Sequence, residues 1–367
     1  MHISLLDPGL RVVAGHHFDL DLRIVRALTR CGHEVTVHGH LQPHSSLVAM
    51  AEQVGMTIHQ TFRFSPYSSP GQTSSSQEAY RALGLATAQD LMAVAETDLW
   101  LWPTLSPYQL AAAAHHGGSV RQIGGAWWTP RKSHPMGAAS WAASAEKLAG
   151  TPHRIVVGAY DELLCQGYRD FSPRLDVGCL PCPHDGTVNT RSPSTLNRVG
   201  FFGHQRPNRG IDLIPELVAA LLSKGYEVVV QDSSGNVKRN RDDPRIRVIE
   251  YIEDFPAELA QCDIVIWPSN WEAYTDSLSG VVSESIATGV PVIVPSGCIP
   301  AKIAARYGCG VFYHEHSSAA ILDAVAKAAR EFPNLCARAH EAAIAWHNQN
   351  GTDHLAAWIE QQAGAIA

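Results

Sequence analysis

The chain has 367 residues, 45% of them hydrophobic and 17% charged, with a net charge of −7 at neutral pH. That composition is globular and long enough for two cores, and it excludes a disordered or fibrous chain. The net charge leaves no footprint of a nucleic-acid binder, and with thirteen Lys and Arg against fifteen Asp and Glu in residues 1–185, and fifteen against twenty beyond, neither half is a basic membrane-docking domain by bulk charge.

The opening Met1-His-Ile-Ser-Leu-Leu-Asp7 lacks the basic and long apolar parts of a secretory leader and reads as a buried strand over 3–6. A loop containing Pro8 and Gly15 leads to an amphipathic stretch at 18–31. There Leu20, Ile24, Val25 and Leu28 recur at helical spacing, and Gly32 closes the helix. Residues 34–38 read as the next strand, and 64–76, rich in Ser, Pro and Gly, as a surface loop. Strands at 99–102, 120–123 and 154–157 alternate with helices near 106–115 and 138–149. This β–α alternation predicts a parallel sheet with helices on both faces.

Cys179 and Cys182 have C-x-x-C spacing, but no second pair matches it. A strand end entering a Pro-rich turn fits the flanks better than a redox dithiol or half a zinc site. The remaining Cys are scattered, mostly through apolar segments, as in a cytoplasmic protein with reduced thiols. Residues 181–197 are polar and aperiodic and read as a linker. The pattern then restarts with a strand at 199–203, a helix at 213–222, strands at 227–231, 246–251, 264–267 and 290–294, and a last amphipathic helix at 352–362. The expected organisation is a domain over 1–185, a second over 198–345, and a helical tail over 346–367. No apolar run approaches the roughly 20 residues that span a bilayer. Ligands of such sheets bind beyond the carboxyl ends of the strands.

The most informative stretch, 263–295, runs from a buried strand through a polar loop to Asp276, then a helix beginning near Ser277, a Gly289 cap and another buried strand. Asp276 and Glu284 are eight apart, which on a continuous helix places both toward one side. A helix N-terminus presents backbone N–H groups and partial positive charge suited to a diphosphate. Glu284 can accept two hydrogen bonds from a ribose diol, each worth about 1.5–3 kcal/mol when charge-assisted. Taken alone, Asp276 is equally an ordinary helix cap. A second stretch, Gly203-His204-Gln-Arg206-Pro-Asn-Arg209-Gly210, puts several cationic side chains on one loop after a strand. Such a loop can stabilise charge that develops on a leaving group.

Together these stretches resemble the family-4 retaining glycosyltransferases of GT-B fold (glycosyl transferases group 1). Those enzymes carry an acidic residue, seven residues, a Glu, and a helix end like Ala287-Thr-Gly-Val-Pro291. The resemblance implies an α/β protein of two Rossmann-like domains with a cleft, its C-terminal helix crossing back to the first domain. It implies that Asp276 faces the transferred sugar and Glu284 the ribose. Ser277, Leu278, Ser279 and Gly280 then meet the diphosphate, and the backbone near Ile252 reads the base. Arg209 fills the second cationic position, and His204 the first, where Arg is usual, with Arg206 close by.

In the first half, Gly15-His16-His17 matches a family loop in part. Gly15 would allow close approach of the backbone to a phosphate or sugar, and His16 or His17 would reach the acceptor, unless the loop is simply a His-bearing surface. After residues 120–123, where many members have a His, this chain has Gly124-Gly-Ala-Trp127-Trp-Thr-Pro-Arg-Lys132. Trp127 and its neighbours would stack on an acceptor or touch lipid headgroups, or else pack beneath their own loop.

The expected activity is transfer of a hexose from a UDP or GDP sugar, with retention, to a carbohydrate, lipid-linked or small-molecule acceptor. No tightly bound cofactor, metal or nucleic acid is expected, and the expected location is cytoplasmic or membrane-peripheral. The alternative is a catalytically degenerate GT-B subunit, motivated by Asp at 276, His at 204 and Ser at 277 and 279. A sugar-nucleotide epimerase stands third.

Overall fold

The computed structural model describes residues 1–13, 16–65, 77–116, 120–132, 135–149, 155–191, 194–203, 207–232, 235, 237 and 243–365. The chain divides into two compact units, Met1–Pro183 with Asn350–Ala367, and His184–Gln349.

In the first unit the order is β1 (His2–Leu6), α1 (His17–Arg30), β2 (Glu34–His40), α2 (Ser45–Gln53), β3 (Ile58–Phe62), α3 (Gln77–Leu91), β4 (Leu99–Trp102), α4 (Pro107–His116), β5 (Arg121–Ala126), α5 (Pro135–Ala149), β6 (Ile155–Ala159), α6 (Glu162–Phe171) and β7 (Asp176–Cys179). Among the described residues these strands form one sheet in the order β3-β2-β1-β4-β5-β6-β7. Every neighbouring pair runs parallel. The central strand β4 reads Leu-Trp-Leu-Trp and is buried throughout, as a strand covered by helices on both faces must be. The edge strand β3, Ile-His-Gln-Thr-Phe, is largely exposed. It lacks the apolar run that marks a buried strand, so its sequence does not announce it.

The second unit holds β8 (Arg198–Phe201), α7 (Ile214–Ser223), β9 (Glu227–Gln231), β10 (Ile246–Ile249), α8 (Phe255–Ala260), β11 (Ile264–Ile266), α9 (Gly280–Thr288), β12 (Val292–Pro295), α10 (Ile299–Arg306), β13 (Gly310–Tyr313), α11 (Ser318–Arg330) and α12 (Phe332–His347). Its strands, again parallel, lie in the order β10-β9-β8-β11-β12-β13. Val199, Phe201, Val228, Val230, Ile264, Ile266 and Ile293 meet Ile214, Leu217 and Leu221 of α7, together with Ile321 and Val325 of α11, in one core. Gly289 ends α9 with φ 78°, a conformation in which glycine escapes the Cβ clash of other residues.

The last helix, α13 (Thr352–Ala365), returns to the first unit. Leu355, Ala356, Ile359 and Ala363 are buried there. Arg121 donates to the Ala363 carbonyl at 2.6 Å, and His33 pairs with Glu360 at 2.8 Å. Among the described residues no helix is long and apolar enough to cross a membrane. Because Ile359 is fully buried, Ile359→Ala is expected to cost about 2–5 kcal/mol. A lower urea midpoint with an unchanged far-UV spectrum would show this, and an unchanged midpoint would contradict the packing.

Candidate functional site

In the second unit the informative loops follow β8, β9, β10 and β11. After β8 the chain turns at Gly203 (φ 94°), whose N–H donates to Gln231 at the end of β9 at 2.8 Å. A short 3-10 turn, Pro207–Arg209, then presents Arg209. Arg209 lies directly over Gly203. A Cβ at 203 would come within 2.7 Å of the Arg209 guanidinium and 3.0 Å of Val281, the second residue of α9. The absence of a side chain at 203 therefore lets the guanidinium and the Val281 side chain both close over this glycine. Arg209 Nε donates to the Tyr274 hydroxyl at 2.8 Å, and Tyr274 packs edge-on against Trp267 at 4.5 Å.

Gly210 has φ 73°, and a Cβ there would overlap the carbonyl oxygen of Pro268. Three further bonds fix the Pro268 loop from behind. Tyr313 donates to the carbonyls of Trp267 and Ser269, and His316 donates to that of Pro268 at 3.0 Å.

Helix α9 begins later than its sequence suggests. Asn270 caps a short 3-10 turn at Trp271–Tyr274, and Ser279, not Ser277, caps α9 by accepting from Val282 N–H at 3.4 Å. Asp276 thus lies in the turn before the helix, half-buried, where Thr275 donates to its carboxylate at 3.0 Å. The expectation that Asp276 and Glu284 share one face of a continuous helix does not hold. Ser277, Leu278 and Ser279 are buried while Gly280 is exposed with open space above it. First-turn N–H groups have no carbonyl partner within a helix, so α9 opens at Gly280 and Val281. Glu284 sits one turn further in and is buried. Ile252 is half-buried in the segment after β10. Gly15, His204 and Arg206 lie outside the described residues.

The first unit holds a buried cluster at the carboxyl ends of its central strands. Asp7, immediately after β1, accepts from Gly9 N–H at 2.8 Å and meets His17 Nδ1 at 2.5 Å. Burial opposes ionisation of Asp7, but the charge and hydrogen bond of His17 outweigh it and hold the carboxyl below its usual range. Asp21, one turn along α1 and fully buried, is pushed well above the carboxylate range by burial and by the neighbouring Asp7. Burial likewise raises the Tyr160 hydroxyl, with Cys182, Asp21 and Asp7 adding to it.

His16 is exposed and stacks on His17 at 4.3 Å, with Trp127 6.2 Å away and Tyr160 4.4 Å beyond Trp127. The fold thus gathers His16 and His17 at the start of α1 with Trp127 just after β5, His17 buried in the cluster and His16 at its surface. The sequence reading missed Tyr274, Asp7 and Asp21. Asp21 did leave a signal, since it falls three residues before Ile24 and seven before Leu28 on the apolar face of α1.

Residues 188–346 match the family model described as "Glycosyl transferases group 1", a span wholly inside the second unit. No curated protein matches the chain in sequence. Over its full length the fold is that of GT-B glycosyltransferases. HepE of Anabaena, solved in complex with UDP, has a TM-score of 0.68 at 13% identity, with 100% of each chain covered. Sucrose-phosphate synthase of Thermosynechococcus elongatus has a TM-score of 0.69 at 13% identity, covering 100% of this chain and 99% of that one. The glycosyltransferase SnogD of Streptomyces nogalater has a TM-score of 0.61 at 16% identity, covering 98% and 99%. The second unit is thus similar to the glycosyl transferases group 1 domain. With the whole-chain fold, that similarity marks an enzyme of the glycosyltransferase kind.

Two measurements test this local structure. Gly210→Ala is expected to destabilise by at least about 2 kcal/mol, because both the positive φ and the Pro268 carbonyl oppose a side chain. Gly280→Ala should change stability by no more than about 0.5 kcal/mol. Equal urea midpoints for the two variants would contradict this. Because the pKa of Asp21 is raised in the folded chain while the unfolded carboxyl ionises above about pH 4, folding takes up a proton there and stability falls as pH rises. Asp21→Asn should therefore raise the melting temperature at pH 7, with the gain shrinking toward pH 4. A gain independent of pH would overturn that account.

Proposed function

We propose that this protein transfers a hexose from a nucleoside diphosphate sugar, with a UDP or GDP donor, to a carbohydrate, lipid-linked or small-molecule acceptor. The observation that carries the proposal is that Arg209 and Val281, in the first turn of α9, both lie against Gly203. These residues lie within the segment that matches the glycosyltransferase family. In this reading the donor diphosphate lies against the N–H groups of Gly280 and Val281, with Arg209 beside it and His204 or Arg206 as the second cation. Ser277, Leu278 and Ser279 shape the turn, Glu284 accepts from the ribose hydroxyls, and the backbone at Ile252 meets the base.

As the bond from anomeric carbon to phosphate oxygen lengthens, negative charge collects on the diphosphate. Fixed N–H dipoles and a held guanidinium stabilise that charge without reorganising. Asp276 orients the sugar. The acceptor oxygen bonds to the anomeric carbon on the face from which the phosphate leaves and passes its proton to the departing phosphate oxygen, so the configuration is retained. Gly15, His16, His17 and Trp127 belong to the approach of the substrates. A cytoplasmic setting, with membrane contact through the Trp127 loop, fits this substrate range.

Binding is the first test. Arg209→Ala and Glu284→Gln are each expected to weaken UDP or GDP binding at least several-fold, and unchanged affinity in both would remove the site assignment. In thermal melts with UDP, GDP and ADP, the correct nucleotide at 100 times its dissociation constant stabilises by about 2.7 kcal/mol. Slow hydrolysis of the matching donor without acceptor separates an active enzyme from a subunit that binds without turnover, and the anomeric configuration of the product tests retention.

A further inference from the structure

The spacing of Cys179 and Cys182 suggests a pair, but the fold gives Cys179 another neighbour. Asp161 caps α6 by accepting from Leu163 N–H at 2.8 Å, and Cys165 follows one turn in, fully buried. Its sulfur turns back toward the sheet, 3.7 Å from the Ala159 carbonyl and 3.5 Å from that of Gly178. Cys179 ends β7 in register with Ala159 and is exposed. The two sulfurs lie within 4.8 Å of each other and of a Glu162 carboxylate oxygen. Cys182 is buried and anchored the other way, its N–H donating to Asn350 at 2.8 Å and its carbonyl accepting from Gly351 at 2.9 Å.

We propose that Cys179 and Cys165 are a reversible redox pair, in which a hydroperoxide oxidises the exposed Cys179 and the buried Cys165 resolves it to an intrachain disulfide. The arrangement places an accessible thiol beside a shielded partner, the layout of cysteines that respond to oxidation. The hydrogen bond from Cys165 lowers the pKa of Cys179 and raises that of Cys165, so the thiolate forms on the exposed sulfur. The thiolate is the form that attacks.

Attack on the peroxide forms an S–O bond and breaks the O–O bond. The sulfur loses two electrons, and the leaving oxygen takes a proton to become water or alcohol. Cys165 then gives up its proton and attacks the Cys179 sulfur. The S–S bond forms, the S–O bond breaks, and hydroxide leaves with that proton as water. A disulfide needs its sulfurs about 2.05 Å apart, so closure asks for a side-chain movement of under about 3 Å. A dithiol reverses the reaction by two exchanges. Metal capture by the same three side chains is disfavoured because Arg169 already occupies Glu162 at 2.6 Å.

The test is independent of glycosyl transfer. Full-length protein, freed of metal by chelation, is treated with hydrogen peroxide and alkylated. It is then digested with trypsin and mapped by mass spectrometry with fragmentation, because Cys179 and Cys182 share one peptide. The expected product is a Cys165–Cys179 cross-link, two hydrogens lighter and restored by dithiothreitol. Cys179→Ser should abolish it, and Cys165→Ser should leave a dimedone-reactive sulfenic acid at Cys179. The wild-type map alone decides if a variant fails to fold. Both thiols alkylated after peroxide, a Cys179–Cys182 link, or Cys179 advancing to sulfinic acid in the parent protein would each overturn the proposal. So would stoichiometric zinc, added back without peroxide, that shields both thiols.

Discussion

In the second unit, the loop after β8 crosses the loop after β11 with backbone against backbone at Gly210 and Pro268, leaving no volume for a side chain. Much of the proposed donor site hangs on that crossing. It sets the height at which Arg209 passes over Gly203, and so its distance from the first turn of α9. Tyr274 and Trp267 hold the guanidinium laterally, while Tyr313 and His316 hold the carbonyls of the lower loop. A guanidinium fixed by neutral aromatic partners keeps its full charge for a ligand, which a carboxylate partner would partly cancel.

The first unit solves a different problem. Asp7, just after β1, and Asp21, on α1, are neighbours out of water, where two negative charges would be costly. His17 draws the Asp7 carboxyl toward its charged form, while burial and Asp7 push that of Asp21 toward its protonated one. The cost of this arrangement is borne by the hydrophobic core around it. Groups with perturbed ionisation gather where chemistry is done more often than in plain packing, and the aromatic and histidine surface above them faces the same end of the sheet.

Much of the architecture was legible in the sequence because buried parallel strands are short apolar runs. Residues 99–102 and 227–231 can be read with their observed bounds. Strand β3 is mixed and polar at a sheet edge and left no such trace, whereas β7 was legible only by its end, where Cys179 enters the Pro-rich turn. The site was legible as a set of segments rather than as geometry. Arg209-Gly210 and Glu284 stand out by pattern, but the start of α9 depends on which of several serines caps it. The choice of Ser279 over Ser277 is made by the turn at Trp271–Tyr274. Tyr274 was invisible as the partner of Arg209, since the two are 65 residues apart. Cys179 does end a strand, as its flanks suggest, but the spacing of Cys179 and Cys182 along the chain could not show that Cys165 arrives beside Cys179 from a helix.

The return of α13 to the first unit has a consequence for how the protein is made. Synthesis is vectorial, and domains generally fold as they emerge. The second unit has all its strands once residue 313 is out, with α12 following closely. The first unit, although begun earlier, keeps an uncovered apolar surface until Leu355, Ile359 and Ala363 leave the ribosome. The unit translated first is therefore the last to be sealed. During that interval, its exposed face is where a chaperone, or a neighbouring nascent chain, would find a grip.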